Sequence, residues 1–282
     1  MKYRFSIITC TKNSAEYLRD NIDSVQSQSF SDYEHVIIDG FSHDRTKDII
    51  LEYQKTSPSK VKFFQSVPKG IADAMNKGIG QCSGEYIIHL HSDDYFHDDR
   101  VLGDVDLFLE HNKNPDWIYS KEISVDSKGK EIRVINDRAI FKKGSAAFYS
   151  RYLLKYYDFI RHQSVFIRKD IFERFGNFNS SFPIAMDYEY WLRIRNKTHW
   201  LFFNRITDCF RMHDDGASSA PASKIKMQLD EMKAGKMHMN WLEFYLMRPI
   251  FKIAAKLAAE IGQQRSLYSS FIATEGERDK QP

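Results

Sequence analysis

The sequence predicts an α/β protein: a mixed, mostly parallel sheet covered by helices on both faces, followed by a helical C-terminal tail. Two observations carry that expectation. Apolar runs alternate with amphipathic segments from the first residues to about residue 100. Polar punctuation then falls at the carboxyl ends of three of those runs, at 9–13, 39–44 and 92–94, the side on which open α/β sheets bind ligands.

The elements follow in order. "YRFSIIT" reads as a buried strand, and Lys12-Asn13-Ser14 as the turn after it. "AEYLRDNIDSVQSQ" is an amphipathic helix with Tyr17, Leu18, Ile22 and Val25 on one face. "EHVIIDG" is the next strand, "DRTKDIILEYQ" a helix and "VKFFQS" a third strand. "GIADAMNKGIGQC" is a short helix expected to stop near Gly78 or Gly80. "GEYIIHL" is a fourth strand, and "DDRVLGDVDLFLEH" carries the next helix. Further on, "PDWIYSKEISVDSKGKEIRVI" is a hairpin turning at Ser127-Lys128-Gly129. "RHQSVFIRKDIFERFGNF" gives a strand and a helix, "DYEYWLRIRNK" a helix, and "HWLFFN" another strand. A helical tail runs from about Lys224 to Gly262, and the polar end is expected to fray.

Composition excludes several classes. The 282 residues supply ample core for one large domain or two modest ones. A formal charge of +3 is close to neutral and predicts no nucleic-acid partner. Cys10, Cys82 and Cys209 lie far apart, offering neither a zinc knuckle nor a disulfide framework, which suits a reducing, cytoplasmic compartment. "MKYRFSIITC" lacks the apolar stretch of a signal peptide. No run approaches the roughly 20 apolar residues of a membrane span. GxxxxGK[ST] and GxGxxG are both absent, against ATPase and dehydrogenase readings.

The chemistry-bearing residues begin with Asp93 and Asp94, adjacent carboxylates closing an apolar run. Such a pair repels itself and is costly to desolvate. Either a hard divalent cation gripping a diphosphate relieves it, or the acids cap the helix that follows. Asp39, ahead of Gly40, either closes a turn or accepts a hydrogen bond from a base or ribose. Asp73 and Asn76 share a helix face near Lys69 and Lys77, as a solvated face or a donor contact. Asp187 opens a helix either as a cap or as a general base, and Glu189 follows it on the same helix. His162 and His213 each sit among polar residues, the latter beside Asp214 and Asp215.

Five segments in this order resemble the family 2 glycosyltransferases of GT-A fold, over about residues 4–219: "FSIITCTKN", "VIIDGFSHDRT", "KGIADAMNKGI", "HLHSDDYF", and "HQSVFIRKDIFERFGNF" with "MDYEYWLR". The resemblance implies transfer of a sugar from a nucleoside-diphosphate sugar, of UDP class, to a glycan or lipid-linked hydroxyl, with inversion. It implies Thr9, Asn13, Asp39, Asp73, Asn76, Ser92 and Asp94 on the nucleotide and donor side. Asp93, with His213, would bind Mn²⁺ or Mg²⁺ at the diphosphate. Asp187 would be the base, with His162, Glu189 and Trp191 on the acceptor side. Two positions depart from the family pattern: His91-Ser92-Asp93 lacks the first acid of the DxD motif, and Met186 stands where Glu usually precedes the base.

The expected organisation is a catalytic domain over 1–222, split near residue 100 into nucleotide and acceptor halves, a helical tail over 223–265, and a disordered end over 266–282. In the tail, Arg248, Lys252 and Lys256 recur at four-residue spacing beside Phe244, Phe251 and Leu257, with Pro249 kinking or restarting the helix. That stripe either packs as a solvated face or lies on the inner face of a membrane. Two rival functions are a nucleotidyltransferase acting on sugar phosphates and a non-catalytic nucleotide-sugar binding module. The first would need a glycine-rich basic N-terminal loop that is not visible here.

Overall fold

The computed structural model describes residues 2–135, 152–156, 158–213, 221–250 and 253. The N-terminal half follows the expected alternation: β1 (Tyr3–Thr11), α1 (Leu18–Gln26), β2 (Tyr33–Asp39), α2 (Thr46–Thr56), β3 (Val61–Gln65), α3 (Ile71–Gln81) and β4 (Gly84–His89). Then come β5 (Tyr95–Phe96), α4 (Val101–His111), β6 (Trp117–Val125), β7 (Glu131–Ile135), a 3₁₀ turn (His162–Ser164), β8 (Val165–Arg168), α5 (Lys169–Phe175), α6 (Met186–Ile194), β9 (Trp200–Arg211) and α7 (Pro221–His238). A final helical segment occupies 241–250.

One mixed sheet joins the strands in the order β3-β2-β1-β4-β8-β6-β9-β5, with β7 on β6. β3, β2, β1 and β4 run parallel, and so do β6 and β9. The antiparallel contacts belong to β8, β7 and β5. Burial on both faces explains why apolar residues occupy adjacent positions in β1 (Ile7-Ile8) and β2 (Val36-Ile37-Ile38). Ile8 and Cys10 of β1 pack with α3 on one face, while Phe5 and Ile7 pack with α4 on the other.

α3 stops near Gly80 as expected, at Gln81, with Gly78 inside it. A Cβ at Gly78 would lie 2.5 Å from Ile8 Cγ2, so this glycine lets the helix press onto β1. Asp93 and Asp94 cap nothing, because β5 intervenes before α4 opens at Val101. The tail breaks at Asn240, ahead of Pro249. Asn240 N–H donates to Glu243 Oε2 and Glu243 N–H donates to Asn240 Oδ1, a reciprocal capping box that starts a new helix. That helix carries a π turn over Glu243–Met247 and continues through Pro249. Arg248 does not join a solvated basic stripe either: it is buried and pairs with Glu231. Lys252, Lys256, Phe251, Leu257 and the terminal stretch 266–282 lie outside the described residues.

The strand-end polar residues also hold the sheet together. Thr9 Oγ1 donates to Leu90 O at 2.7 Å, so His35 Nε2–H must donate to Thr9 at 2.8 Å. Burial pushes the pKa of His35 down to about 3. The unfolded imidazole protonates near 6.5, the folded one only far lower, so between those values the unfolded state holds the extra proton and stability falls as pH falls. The stability of the wild type relative to His35→Gln should therefore drop by about 1.4 kcal/mol per pH unit below 6.5. Urea unfolding at stepped pH reads it, and parallel curves would refute it.

Candidate active site

The carboxyl ends of β1 and β4, the last residues of β9, the 3₁₀ turn and the start of α6 surround a cleft of about 590 Å³. That volume suits a small-molecule ligand. Asn13, Ser92, Asp93, Asp94, His162 and His213 line it, as do Lys12, Tyr17, His91 and Arg211. Ile71, Ile184 and Met186 supply apolar wall.

Asp93 and His213 meet across 120 residues of sequence, Oδ2 to Nε2 at 2.9 Å. Their positions are set by two buried residues. Asn21 of α1 donates to His91 O and Asp94 O. Arg211 donates from its backbone N–H to Asp94 Oδ1 and from Nε to Asp93 O, both at 3.0 Å. Its remaining nitrogens reach Ser127 O and Asp20, and its guanidinium lies 4.7 Å from the Tyr17 ring centroid and 5.2 Å from that of Tyr95. Asp94 is 1% exposed. Burial, then the charge of Asp93, push its pKa well above the usual carboxyl range. Behind it, burial raises Glu122 to about 7.

Across the cleft runs a second chain of contacts. His91 Nε2 and His162 Nε2 lie 2.7 Å apart, and His162 Nδ1 is 3.0 Å from Asp187 Oδ2. A carboxylate accepts only, so His162 carries its proton on Nδ1 and presents a lone pair at Nε2. His91 must then donate from Nε2, which leaves its buried Nδ1 unpartnered. Burial, then the facing His162, lower His91 to about 4, consistent with a neutral ring. Asp187 Oδ1 accepts the Tyr188 N–H at 2.8 Å. His162 lines the cleft and stands between it and Asp187.

The structure does not bring the other candidates to this cleft. Thr9 is spent on Leu90 and His35. Asp39 is fully buried, and its oxygens accept from Thr11, Gln65 and both donors of Ser42. Burial raises its pKa, but those donors outweigh it and the net value is lowered. Asp39 organises the turn that holds Asn13, whose N–H donates to Ser42 Oγ. Asn13 takes the left-handed conformation at φ 51°, which Asn tolerates. Asp73 pairs with Lys77, and Asn76 ties both the N–H and the carbonyl of Phe178. Glu189 is buried between Arg193 and His238. Trp191 is 1% exposed and stacks on Trp117 at 5.2 Å. Asp214 and Asp215 lie outside the described residues.

The profile of "Glycosyl transferase family 2" matches residues 6–175, more than half of the chain. The chain belongs to glycosyltransferase family 2. A PGL/p-HBAD biosynthesis glycosyltransferase of Mycobacterium bovis is 29% identical over 67% of this chain and 68% of its own length. An uncharacterized glycosyltransferase of Rickettsia felis is 27% identical over 76% of this chain, which spans about a third (35%) of that protein. Among the solved structures that share the fold is S. aureus TarS in complex with UDP, TM-score 0.65 at 18% identity, covering 88% of this chain and 68% of that one. Another is the mannosyltransferase PcManGT from Pyrobaculum calidifontis with GDP-Man and Mn²⁺, TM-score 0.65 at 15% identity, covering 97% and 81%. In this family 2 member Lys12, Tyr17 and Arg211 are among the cleft-forming residues that sequence reasoning missed. Arg211 lies two residues before His213 in "FRMHDDGASS". Nothing in the spacing says that its guanidinium folds back onto the 93–94 turn.

Proposed function

We propose that the protein moves a sugar from a UDP-sugar to a hydroxyl of a glycan or lipid-linked acceptor, inverting the anomeric carbon, in cell-surface polysaccharide assembly. The observation that carries this reading is one cleft lined by the Asp93–His213 pair and by His162, with Asp187 bonded behind His162. The ligands of the solved fold relatives, UDP in TarS and GDP-Man with Mn²⁺ in PcManGT, support it.

The residues fit a divalent cation in one respect that decides its mode of binding. Asp93 offers a hard oxygen and His213 an imidazole nitrogen, and no group of three or more such ligands exists among the described residues. Asp93 and His213 would hold such a cation, and the remaining ligands would have to come from elsewhere, such as the donor's diphosphate. When bound, it would neutralise charge on the departing diphosphate. Asp94 and Arg211 fix the turn that presents Asp93. His162 takes the acceptor proton at Nε2, replacing the present contact with His91, while Asp187 holds Nδ1–H and stabilises the imidazolium. This places Asp187 behind the base. The apolar wall of Ile71, Ile184 and Met186 limits water at the anomeric carbon.

Calorimetry with UDP, GDP, CDP and dTDP, each with and without Mn²⁺, tests the donor side. UDP should bind tightest, need the metal, and lose at least about tenfold in affinity in Asp93→Asn. Binding of none of the four, or binding indifferent to both metal and Asp93, would overturn the reading.

A further inference from the structure

α7 and the helical segment after it reverse the usual arrangement of a surface helix, turning their acidic side chains inward and many apolar side chains outward. Asp230 accepts the backbone N–H groups of Ile184 and Ala185. Glu231 pairs with Arg248, and Glu243 with Lys155. Every acidic residue of 221–250 is therefore engaged within the fold. The two helices are locked together at Gly235, where an added Cβ would meet Phe244 Cε2 at 2.9 Å. Outward lie Trp241, Leu242, Tyr245, Leu246, Ile250 and Ile253, each 52–73% exposed. On α7, Ile225, Leu229, Met232 and Met237 are exposed as well. Lys224, Lys226 and Lys236 stand exposed among them, while Lys233 is tied to Ser181.

We propose that this surface seats on an anionic lipid bilayer, using the apolar side chains for insertion and the lysines for headgroup contact. Among the described residues no helix is long and apolar enough to cross a membrane, so the contact is from one side. Trp241 and Tyr245, with ring centroids 5.8 Å apart, are the aromatic types that settle at the boundary between headgroup and acyl chain. Lysine stems cover apolar surface while their ammonium groups reach out. Charge selects a bilayer over a second copy of the chain. A two-fold contact sets a patch against itself, so lysines would face lysines with no free acid to pair them. An anionic surface complements both properties at once. The surface differs from the basic stripe read in the sequence, because Arg248 points inward. Seating here stands independently of the transfer reaction, although it would suit a lipid-linked acceptor.

Flotation of the full chain with vesicles of equal phosphatidylglycerol and phosphatidylcholine, and with phosphatidylcholine alone, tests it. The chain should float with the anionic vesicles, less with the neutral ones, and release as salt rises. Trp241→Glu/Leu246→Glu and Lys224→Gln/Lys226→Gln/Lys236→Gln should each weaken partitioning at least about tenfold. Thermal melts and UDP calorimetry on the same samples confirm folding, and show vesicle binding and nucleotide binding failing separately if either does. No flotation with anionic vesicles, or flotation unmoved by both variants, would overturn the proposal. So would wild-type self-association in sedimentation that Trp241→Glu/Leu246→Glu disperses, which would make the occupant a second copy.

Discussion

Asp187→Asn is expected to lower kcat by about 10²–10⁴-fold, with the melting temperature and UDP affinity little changed. In the proposed mechanism the carboxylate does two things for His162. It fixes the proton on Nδ1, which leaves Nε2 as the basic lone pair, and it stabilises the cation formed when that lone pair takes the acceptor proton. An amide of the same shape keeps the packing and loses both. His162→Ala should fall in the same range, and the double variant should be no worse than the poorer single, because two residues acting as one unit do not add. Steady-state kinetics on the three variants, with the acceptor at saturation, reads the result. Additive losses, or a loss confined to KM, would mean that Asp187 acts directly or only shapes the acceptor site.

The parts of this arrangement that the sequence showed are those written locally. Alternating apolar runs and amphipathic segments gave β1 to β4 with their helices. Polar residues after β1 and β4 then located the cleft, since strand ends on one side of a parallel sheet meet there. The candidates that lie off the cleft share a feature. Thr9 lies near the end, and Asp39 at the end, of a strand buried on both faces, so period-two alternation cannot tell which of their neighbours they point at. Glu189 and Trp191 follow Asp187 on one helix, and one turn separates the cleft side from the core. Arg211 and Asn21 work by long-range hydrogen bonds to the 91–94 turn, which no spacing rule registers. The tail was legible as helix but not as to which face is buried. Arg248 pairs with Glu231 across two helices, and that pair becomes visible only when the helices fold onto one another.

Trp191→Ala should destabilise the fold by about 3–5 kcal/mol, with the effect appearing in unfolding and not in acceptor KM. The indole sits in a stack, 5.2 Å from Trp117, which in turn lies 4.6 Å from Trp200, with Phe178 and Tyr190 against its edge. Removing it opens a cavity where α6 meets β6, in the element that carries Asp187. Trp191→Phe separates packing from recognition. Trp191 Nε1 has no hydrogen-bond partner in its buried site, so phenylalanine gives up no bond and removes an unsatisfied donor, offsetting part of the lost contact area. Its cost should stay near 1–2 kcal/mol, and acceptor KM should hold. Urea unfolding beside acceptor kinetics discriminates the two roles. If Trp191→Phe were fully stable yet raised acceptor KM severalfold, the indole would contact substrate and the buried stack could not describe the working enzyme. If stability falls in the order wild type, Phe, Ala while KM holds, the aromatic stack is the base on which the His162–Asp187 pair is held in register with the cleft.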